Sequence, residues 1–277
     1  MRGPSTLAII FVLYGSYEDF DRFLQSQVSE SEDVHLVLVD NTPHSEVRHN
    51  VLARWENIYG IRVCIAEPEN RGYFGGAEQA LDRFPELLEC DYIAISNTDV
   101  IYQVNDVVHT LRNVQHDLGK VGAIAPRLVG KDGQTKAQPH YVNRPTVKKY
   151  ERLAKLTSHY FLAAAHRLGS DLKRKAGFTR GGKHIPRSIF APHGAFMIMS
   201  NIYFRQTAGF KHLCFLFNEE ILVGSECEKA GLRCVYEPRI TYSHSNHGSM
   251  GYFPSRKVIK LLNEAHYAAI RMLSQPH

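Results

Sequence analysis

Two groups of polar residues in this chain have side chains suited to metal-assisted group transfer. Asn97 and Asp99 closely follow the buried-looking run 92–96, and a carboxylate at the end of a strand is a natural ligand for a hard divalent cation. Glu219 and Glu220 lie far along the chain at the start of a predicted helix, where one carboxylate of a pair can be poised as a general base. Each pattern also has a structural explanation, because turns and helix first turns favour acidic residues.

The composition is that of an ordinary globular protein with a mild positive charge. The 277 residues can bury a sizeable core as one large domain or two small ones. The formal net charge of +5 favours an anionic partner, such as a phosphate compound or an acidic lipid surface. The five cysteines include no C-x-x-C pair, which indicates free thiols. No stretch approaches the ~20 apolar residues of a membrane-spanning helix and no secretory signal is visible, so we expect a cytoplasmic protein.

Short β-branched runs alternate with amphipathic segments in the first half of the chain. The predicted strands are residues 7–12, 34–39, 61–66, 92–96 and 121–126. The predicted helices are residues 17–27, 46–55, 75–84 and 104–114. This order is typical of an α/β fold with a parallel sheet covered on both faces. In such sheets ligands bind beyond the carboxyl ends of the strands.

The second half of the chain is less regular and holds a basic segment. Its predicted strands are residues 194–199, 233–236 and 240–243, and its predicted helices are residues 218–230 and 258–273. Residues 144–187 hold twelve Lys and Arg but only two acids.

Residues 146–168, within this basic segment, have a helical pattern with two distinct faces. At ~100° per residue, one face carries Lys148, Arg152, Lys155, His159 and His166. The other face carries Tyr150, Leu153, Ala154, Phe161, Ala164, Ala165 and Leu168. The segment is either a cover helix with a solvated basic face or a contact with anionic lipid headgroups.

Polar residues follow three of the strands predicted in the first half, and Asn97 to Asp99 are one such group. Asp40 and Asn41 end the second strand, where an Asp can accept hydrogen bonds from a base or a ribose, although Asp-Asn is also a common turn. The segment 69–76 reads Glu-Asn-Arg-Gly-Tyr-Phe-Gly-Gly. Its glycines let the backbone approach a ligand, and a helix N-terminus favours phosphate. It matches neither a Walker loop nor G-x-G-x-x-G, so a classical dinucleotide site is not expected.

Three histidines are candidate site residues with weaker patterns. His244 and His247 are three residues apart, a spacing that can ligate a metal, and His193 precedes Gly194 at a predicted strand. The chain has 15 histidines, so chance pairs are expected, and each of these residues could equally be packed or solvated.

Taken in order, these segments resemble a family-2 glycosyltransferase with the GT-A fold, of the rhamnosyltransferase-like and capsular-polysaccharide type. The matching stretches are residues 37–42, 69–77, 96–100, 192–196, 215–220, 236–238 and 244–249. The resemblance implies a single GT-A domain over residues 1–277, with a mostly parallel central sheet flanked by helices. Residues 1–127 would form the nucleotide-sugar-binding half. Residues 128–277 would form the acceptor and catalytic half, with the basic insertion 144–187 and the C-terminal helix.

The resemblance also implies a reaction and its partners. The enzyme would move a sugar from a nucleotide-diphosphate donor to a hydroxyl of a glycan or lipid-linked acceptor, inverting the anomeric centre. A divalent cation, Mg²⁺ or Mn²⁺, would be the cofactor. The setting would be bacterial surface polysaccharide synthesis, with the protein cytoplasmic or peripheral on the inner face of the plasma membrane. Nucleic acid is not an expected partner.

The resemblance assigns a role to each matching position. Glu220 would be the catalytic base with Glu219 supporting it, and Asp40 would bind the nucleotide base. The donor-binding positions are Asp40, Asn41, Asn70, Gly72, Tyr73, Gly76, Asn97 and Asp99. The acceptor-side positions are His193 and Gly194, and the metal ligands are Asp99 and His244.

The sequence departs from the family pattern at three places. Asn97 replaces the first acid of the family's D-x-D-type motif, which leaves a thinner metal site. Glu220 stands where the family more often has Asp, and the glutamate side chain is longer than that of aspartate. Leu222 and Glu226 stand where the following helix frequently has Asp and Arg.

Two other functions stay open at the level of sequence. A metal-dependent hydrolase could use Asp99, His244 and His247, but it gives no reason for Asp40 and the glycine-rich segment. A catalytically idle, lipid-binding scaffold could use the basic helix, but it gives no reason for the acidic pair.

Overall fold

Strands and helices alternate through the N-terminal half, as the sequence pattern predicts. The computed structural model describes residues 6–15, 17–27, 33–43, 46–66, 69–113, 120–130, 141–163, 187–211, 215–244 and 255–275. The strands of the first half are β1 (Leu7–Leu13), β2 (Val34–Asp40), β3 (Arg62–Ile65), β4 (Tyr92–Asn97), β5 (Val100–Ile101) and β6 (Val121–Val129). Its helices are α1 (Tyr17–Gln25), α2 (Glu46–Tyr59), α3 (Gly72–Arg83) and α4 (Val104–Asn113), with a 3-10 turn at Pro85–Glu89.

The second half adds three strands and four helices within the described residues. The strands are β7 (Ser188–Ile189), β8 (Phe196–Ser200) and β9 (Arg233–His244). The helices are α5 (Val147–Thr157), α6 (Asn201–Gln206), α7 (Glu219–Lys229) and α8 (Arg256–Leu273). The sequence analysis missed β5, β7 and α6, because two to six residues are too few to show a period.

One sheet takes strands from both halves of the chain and is mixed rather than mostly parallel. Its order is β3-β2-β1-β4-β8-β6-β9-β5, and β7 pairs with β9. The four strands β3, β2, β1 and β4 are parallel, as predicted. β8 is antiparallel to both of its neighbours, β6 and β9 are parallel to each other, and β5 and β7 are antiparallel to β9. The prediction of a mostly parallel sheet therefore holds for β1 to β4 and for the β6–β9 pair, but not for β5, β7 and β8, whose sequences carried no signal of direction.

The core lies on both faces of the sheet, which explains the continuous apolar strands. Along β1, Ala8 and Ile10 point to one buried cluster, while Ile9 and Phe11 point to the other. Side chains alternate between the faces of a strand, so a strand buried on both faces must be apolar throughout. The covered sheet holds the carboxyl ends of its strands in fixed relative positions, and the candidate site is built there.

Strand β9 is continuous where the sequence analysis predicted two short strands. Pro126 pairs with Glu237 and Arg127 pairs with Thr241, so residues 238–240 are skipped in the register. Pro238 lies in this irregularity, where the lack of a backbone N–H does no harm. The strand therefore continues to His244.

Helices α5 and α8 pack side by side. The side-chain amide of Asn263 donates to the carbonyl oxygen of Ala154 at 2.7 Å and to Oγ1 of Thr157 at 2.9 Å. Tyr150 is buried, and its ring lies 5.8 Å from that of His266. No helix in the described part of the chain is long and apolar enough to cross a membrane.

The predicted faces of the basic segment are confirmed within α5 and at the exposed His159, but not at Phe161. Lys148, Arg152 and Lys155 are exposed. Phe161, predicted for the apolar face, is 81% exposed, because the helix ends at Thr157 and its phase no longer applies. Residues 164–186, which include His166 and Leu168, lie outside the described residues.

Candidate active site

Asp99 and His244 lie together at the end of the sheet. Asp99 is in the turn between β4 and β5, and Val100 in β5 pairs with His244 in β9. This pairing places Nε2 of His244 3.0 Å from both carboxylate oxygens of Asp99. A strand of two residues thus joins two side chains that are far apart in sequence.

Asp99 and His244 are residue types that can hold a divalent cation. In the structure they contact each other directly, at the 3.0 Å of an ordinary hydrogen bond or ion pair. No group of three or more His, Cys, Asp or Glu side chains among the described residues could hold a metal. A cation here would therefore depend on further ligands from a bound phosphate and from water, as Mg²⁺ commonly does.

The carboxylate of Glu220 is held by the backbone of Gly194. The Gly194 amide donates to Oε1 of Glu220 at 3.1 Å. A Cβ on Gly194 would lie 2.6 Å from that oxygen, which is too close for a side chain. Glycine at this position therefore lets the backbone reach the carboxylate. The resulting hydrogen bond joins the predicted acceptor-side segment to the predicted base.

Glu219 is buried at the first position of α7. It is 7% exposed, and its Oε1 accepts from the backbone amide of Phe217 at 2.9 Å. Phe217 and Asn218 have φ of 75° and 61°, a left-handed turn that is costly for residues other than glycine and is often kept at functional sites. Burial first, and then the charge of Glu220, raise the pKa of Glu219 to about 8.

Tyr73 connects the glycine-rich segment to the acidic residues. Its hydroxyl donates to the carbonyl oxygen of Gly194 at 3.1 Å. Burial, followed by the charges of neighbours that include Glu219, Glu220 and Asp99, raises the pKa of Tyr73 well above its ordinary value. Gly194 therefore links the two residues, since its carbonyl oxygen accepts from Tyr73 and its amide donates to Glu220.

The start of α3 is fixed by contacts that only glycine permits at position 72. Gly72 has φ of 80°, and a Cβ there would overlap the carbonyl oxygen of Phe215. The Gly72 amide donates to Oδ1 of Asn70 at 2.7 Å, and the Gly72 carbonyl accepts from the Asn41 side chain at 2.9 Å. The helix was predicted to begin at Gly75. It begins at Gly72 instead, because the contacts of Gly72 with Asn70 and Asn41 fix the first turn there.

Asn41 has one buried polar atom without a partner. Its Oδ1 makes no hydrogen bond to the described residues, and the residue is only 5% exposed, so water does not replace the missing partner freely. A buried orphan acceptor is costly, and such atoms often bind a ligand or an ordered water. A Cβ on Gly76 would lie 3.2 Å from the Asn41 side chain, so Gly76 keeps room beside it.

His193, a predicted acceptor-side residue, lies beside the Asp99–His244 pair. Its Nδ1 is 3.1 Å from the Tyr242 hydroxyl and accepts from the Ala195 amide at 3.2 Å. Its ring is 6.4 Å from that of His244. The predicted acceptor-side and metal residues are therefore neighbours.

Asp40 is enclosed by its own partners. It is fully buried, its Oδ1 accepts from the Thr42 amide, and its Oδ2 accepts from the Tyr17 hydroxyl, both at 2.9 Å. The guanidinium of Arg48 forms an ion pair with Oδ2 at 2.9 Å. Asp40 thus anchors the strand end, and its role at a nucleotide base stays a prediction.

Asn97 and His247 complete the set of predicted site residues. Asn97 ends β4, half-buried, and its amide donates to the Ala195 carbonyl oxygen at 2.9 Å. His247 lies outside the described residues.

The sequence analysis missed three residues of the site. Tyr242 lies two positions before His244, so strand alternation, which puts both on one face, could have found it. Arg48 and Tyr141 gave no such signal, because Arg48 reaches Asp40 through the packing of α2 against β2 and Tyr141 bridges to the distant Ala191.

Comparisons with known proteins relate this architecture to glycosyltransferases. No protein-family model matches the sequence, and no curated protein matches it. Three solved structures illustrate the likeness of fold. GalNAc-T7 with UDP, GalNAc and Mn²⁺ has a TM-score of 0.58 and 12% identity, covering 88% of this chain and 44% of that one.

Two further structures come from microorganisms. The mannosyltransferase PcManGT of Pyrobaculum calidifontis with GDP-Man and Mn²⁺ has a TM-score of 0.54 and 10% identity, covering 98% of this chain and 75% of that one. S. aureus TarS 1-349 with UDP-GlcNAc has a TM-score of 0.53 and 11% identity, covering 88% of this chain and 59% of that one. The chain thus spans less than two thirds of GalNAc-T7 and of TarS 1-349. At these identities the likeness concerns the fold alone: the chain has the GT-A fold of these glycosyltransferases, a mixed α/β sheet flanked by helices.

Proposed function

We propose that this protein is an inverting glycosyltransferase that uses a nucleotide-diphosphate sugar. The observation that carries the proposal is that the Gly194 amide holds Glu220, while the ring of the adjacent His193 lies 6.4 Å from that of His244, the partner of Asp99. These contacts bring a positioned base and a candidate cation-binding pair to one end of the sheet. The GT-A fold supports the same reaction class, since the similar structures were solved with UDP, GDP-Man or UDP-GlcNAc.

Glu220 is the base in the proposed reaction. Its carboxylate takes the proton from an acceptor hydroxyl, and that oxygen bonds to the anomeric carbon from the face opposite the diphosphate. The bond between that carbon and the diphosphate oxygen breaks, and the nucleoside diphosphate leaves with the bonding electrons. The Gly194 amide fixes the direction of the carboxylate, which favours one geometry of attack. No covalent sugar–protein intermediate is required.

Asp99 and His244 hold the divalent cation in this proposal. When bound, Mg²⁺ or Mn²⁺ would neutralise the charge that develops on a departing diphosphate. The donor-binding role extends to Asn41, whose buried Oδ1 has no partner among the described residues, and to the α3 N-terminus at Gly72.

The finer parts of the proposal concern the family and the setting. We infer a family-2, rhamnosyltransferase-like enzyme that builds a bacterial surface polysaccharide on a glycan or lipid-linked acceptor. It would work at the cytoplasmic face of the membrane. The exposed basic face of α5 supports this setting, since basic residues beside apolar ones favour anionic lipid.

A two-step experiment tests the proposed function. Nucleotide sugars are first screened by thermal shift with Mn²⁺ and with a chelator, because a ligand that binds only the folded protein stabilises it. Release of nucleoside diphosphate is then measured with and without candidate acceptors. Release that an acceptor accelerates is the expected result. Release unaffected by any acceptor would indicate the hydrolase, and absence of both stabilisation and release would indicate the idle scaffold.

A further inference from the structure

Lys149 lies over two tyrosine rings at the start of α5. Its Nζ is 4.6 Å from the ring centre of Tyr141 and 5.4 Å from that of Tyr150. It also donates to the Tyr141 hydroxyl at 3.4 Å. Oγ1 of Thr146 caps the helix by accepting from the Lys149 amide, which fixes the backbone that carries the lysine. The ammonium group therefore has a defined position.

Tyr141 ties this lysine to the candidate active site. Its amide donates to the carbonyl oxygen of Ala191, and the Ala191 amide donates back to Tyr141. Ala191 opens the short segment that ends at Gly194, whose amide holds Glu220.

The hydroxyl groups of the two tyrosines under Lys149 form a pair. Those of Tyr141 and Tyr150 lie 2.5 Å apart. Burial raises the pKa of both tyrosines, and the nearby charge of Glu220 raises each further. The geometric link to the proposed base is the bridge from Tyr141 to Ala191, three residues before Gly194.

Lys149 has no carboxylate partner among the residues that the structure describes. Other cations of the second half are paired, such as Lys229 with Glu226 and Arg144 with Glu228. Lys149 is an exposed residue, and partial burial of its ammonium group lowers its pKa. An ammonium fixed against aromatic faces and lacking a counter-charge gains from binding an anion, with the Tyr141 hydroxyl as a second contact.

We propose that Lys149 and the Tyr141 hydroxyl bind an oxyanion carried by the acceptor, a phosphate or a carboxylate group, while the accepting hydroxyl lies at Glu220. This inference rests on the proposed function and names the acceptor's chemical class. The acceptor is an anionic molecule whose charge lies a short distance from the hydroxyl that is glycosylated. A neutral glycan lacks the group that this subsite binds.

The test uses the full chain and two anionic probes that differ in the source of the charge. Methyl phosphate and methyl glucuronide are titrated by calorimetry, with methyl glucoside as the neutral reference. UDP or GDP with Mn²⁺ is present at saturation, so that the donor site is filled. The variants are Lys149→Met, which keeps the apolar stem, and Tyr141→Phe, which keeps the ring. Lys211→Met removes an equal charge from an exposed position elsewhere and is the control.

We expect Lys149→Met to weaken binding of one anion at least about tenfold, the loss of one charge-assisted hydrogen bond. Tyr141→Phe should weaken it less, and Lys211→Met should leave it unchanged. If Lys149→Met weakens the binding of methyl phosphate alone, the acceptor is phosphorylated. If it weakens the binding of methyl glucuronide alone, the acceptor carries an acidic sugar. Equal binding by the wild type and both site variants, or equal loss in the control, would overturn the subsite. Nucleoside diphosphate binding, titrated separately, reports on the donor site and hence on the proposed function.

Discussion

The backbone amide of Gly194 donates to Oε1 of Glu220, and no other residue type fits at position 194 without moving that carboxylate. Gly194→Ala would place a Cβ 2.6 Å from the oxygen and displace it. We expect turnover to fall by about 10²-fold, since a misplacement of about 1 Å has that effect. Donor binding should persist. Single-turnover kinetics with donor titration measures both, and thermal unfolding is the control for folding. Full activity in this variant would show that the contact does not orient the base.

Glu220→Gln tests the base itself. Glutamine has nearly the same shape and can still accept from Gly194, but it cannot take a proton. Transfer should fall by about 10²–10⁴-fold with donor affinity nearly unchanged. The matched control is Glu264→Gln on the exposed face of α8, which should be fully active. Normal turnover by Glu220→Gln would exclude this residue as the base.

Asp99→Asn tests the proposed cation pair. The amide keeps the shape of the side chain but loses the charge that attracts Mg²⁺ or Mn²⁺. Thermal stabilisation by donor should then become the same with Mn²⁺ as with a chelator. Asn97→Asp, which adds the first acid of the family motif, should lower the Mn²⁺ concentration needed for half-maximal stabilisation. An Asp99→Asn variant with wild-type metal dependence would remove Asp99 from the cation site.

Much of the fold could be predicted from sequence because its signals are local. The apolar runs of β1, β2 and β4 are buried on both faces, and this burial alone dictates their composition. The direction of β8 could not be predicted, since its pattern FMIMS is buried throughout and suits either orientation. β5 is too short to show any pattern, yet its pairing with β9 joins Asp99 to His244.

The candidate site was predictable only as separate pieces. The order of the family's motifs indicated that Asp99, Glu220 and Gly194 are site residues. It did not indicate that the Gly194 amide holds the base. The contacts of Tyr141 and Lys149 are set by a backbone bridge to Ala191, which no local period reports. The burial of Asp40 by Arg48 likewise depends on how α2 packs against β2.

Glu219 should make the stability of the protein depend on pH. Its pKa is raised from 4.5 to about 8 in the folded state, so folding favours the protonated acid. Its stabilising contribution is complete below pH ~4.5 and is lost as the pH rises towards 8. The difference in unfolding free energy between wild type and Glu219→Gln should therefore change by on the order of a few kcal/mol across this range. Urea unfolding of both proteins at pH 5, 6.5 and 8.5 measures it, because the titrating groups that do not interact with Glu219 cancel in the difference. A difference that stays constant with pH would mean that Glu219 titrates normally.

The basic face of α5 is expected to bind an anionic membrane surface. Lys148, Arg152 and Lys155 are exposed on one side of the helix, and Phe161 is exposed beyond its end. Each basic residue near an anionic surface contributes about 1 kcal/mol, so replacing all three by Gln should weaken binding to anionic vesicles by about 100-fold. Co-sedimentation with anionic and with neutral vesicles at two salt concentrations measures this, since the attraction is screened by salt.

The control for the α5 variant removes the same charge from exposed positions elsewhere, with Arg22, Arg83 and Lys211 replaced by Gln. If net charge alone governed vesicle binding, both triple variants would lose it equally. If α5 is the contact, the control keeps most of its binding while the α5 variant does not. Equal binding by the wild type and the α5 variant would leave this face as a solvated cover of the core. The transfer reaction at Glu220 would then proceed on an acceptor that reaches the protein by another route.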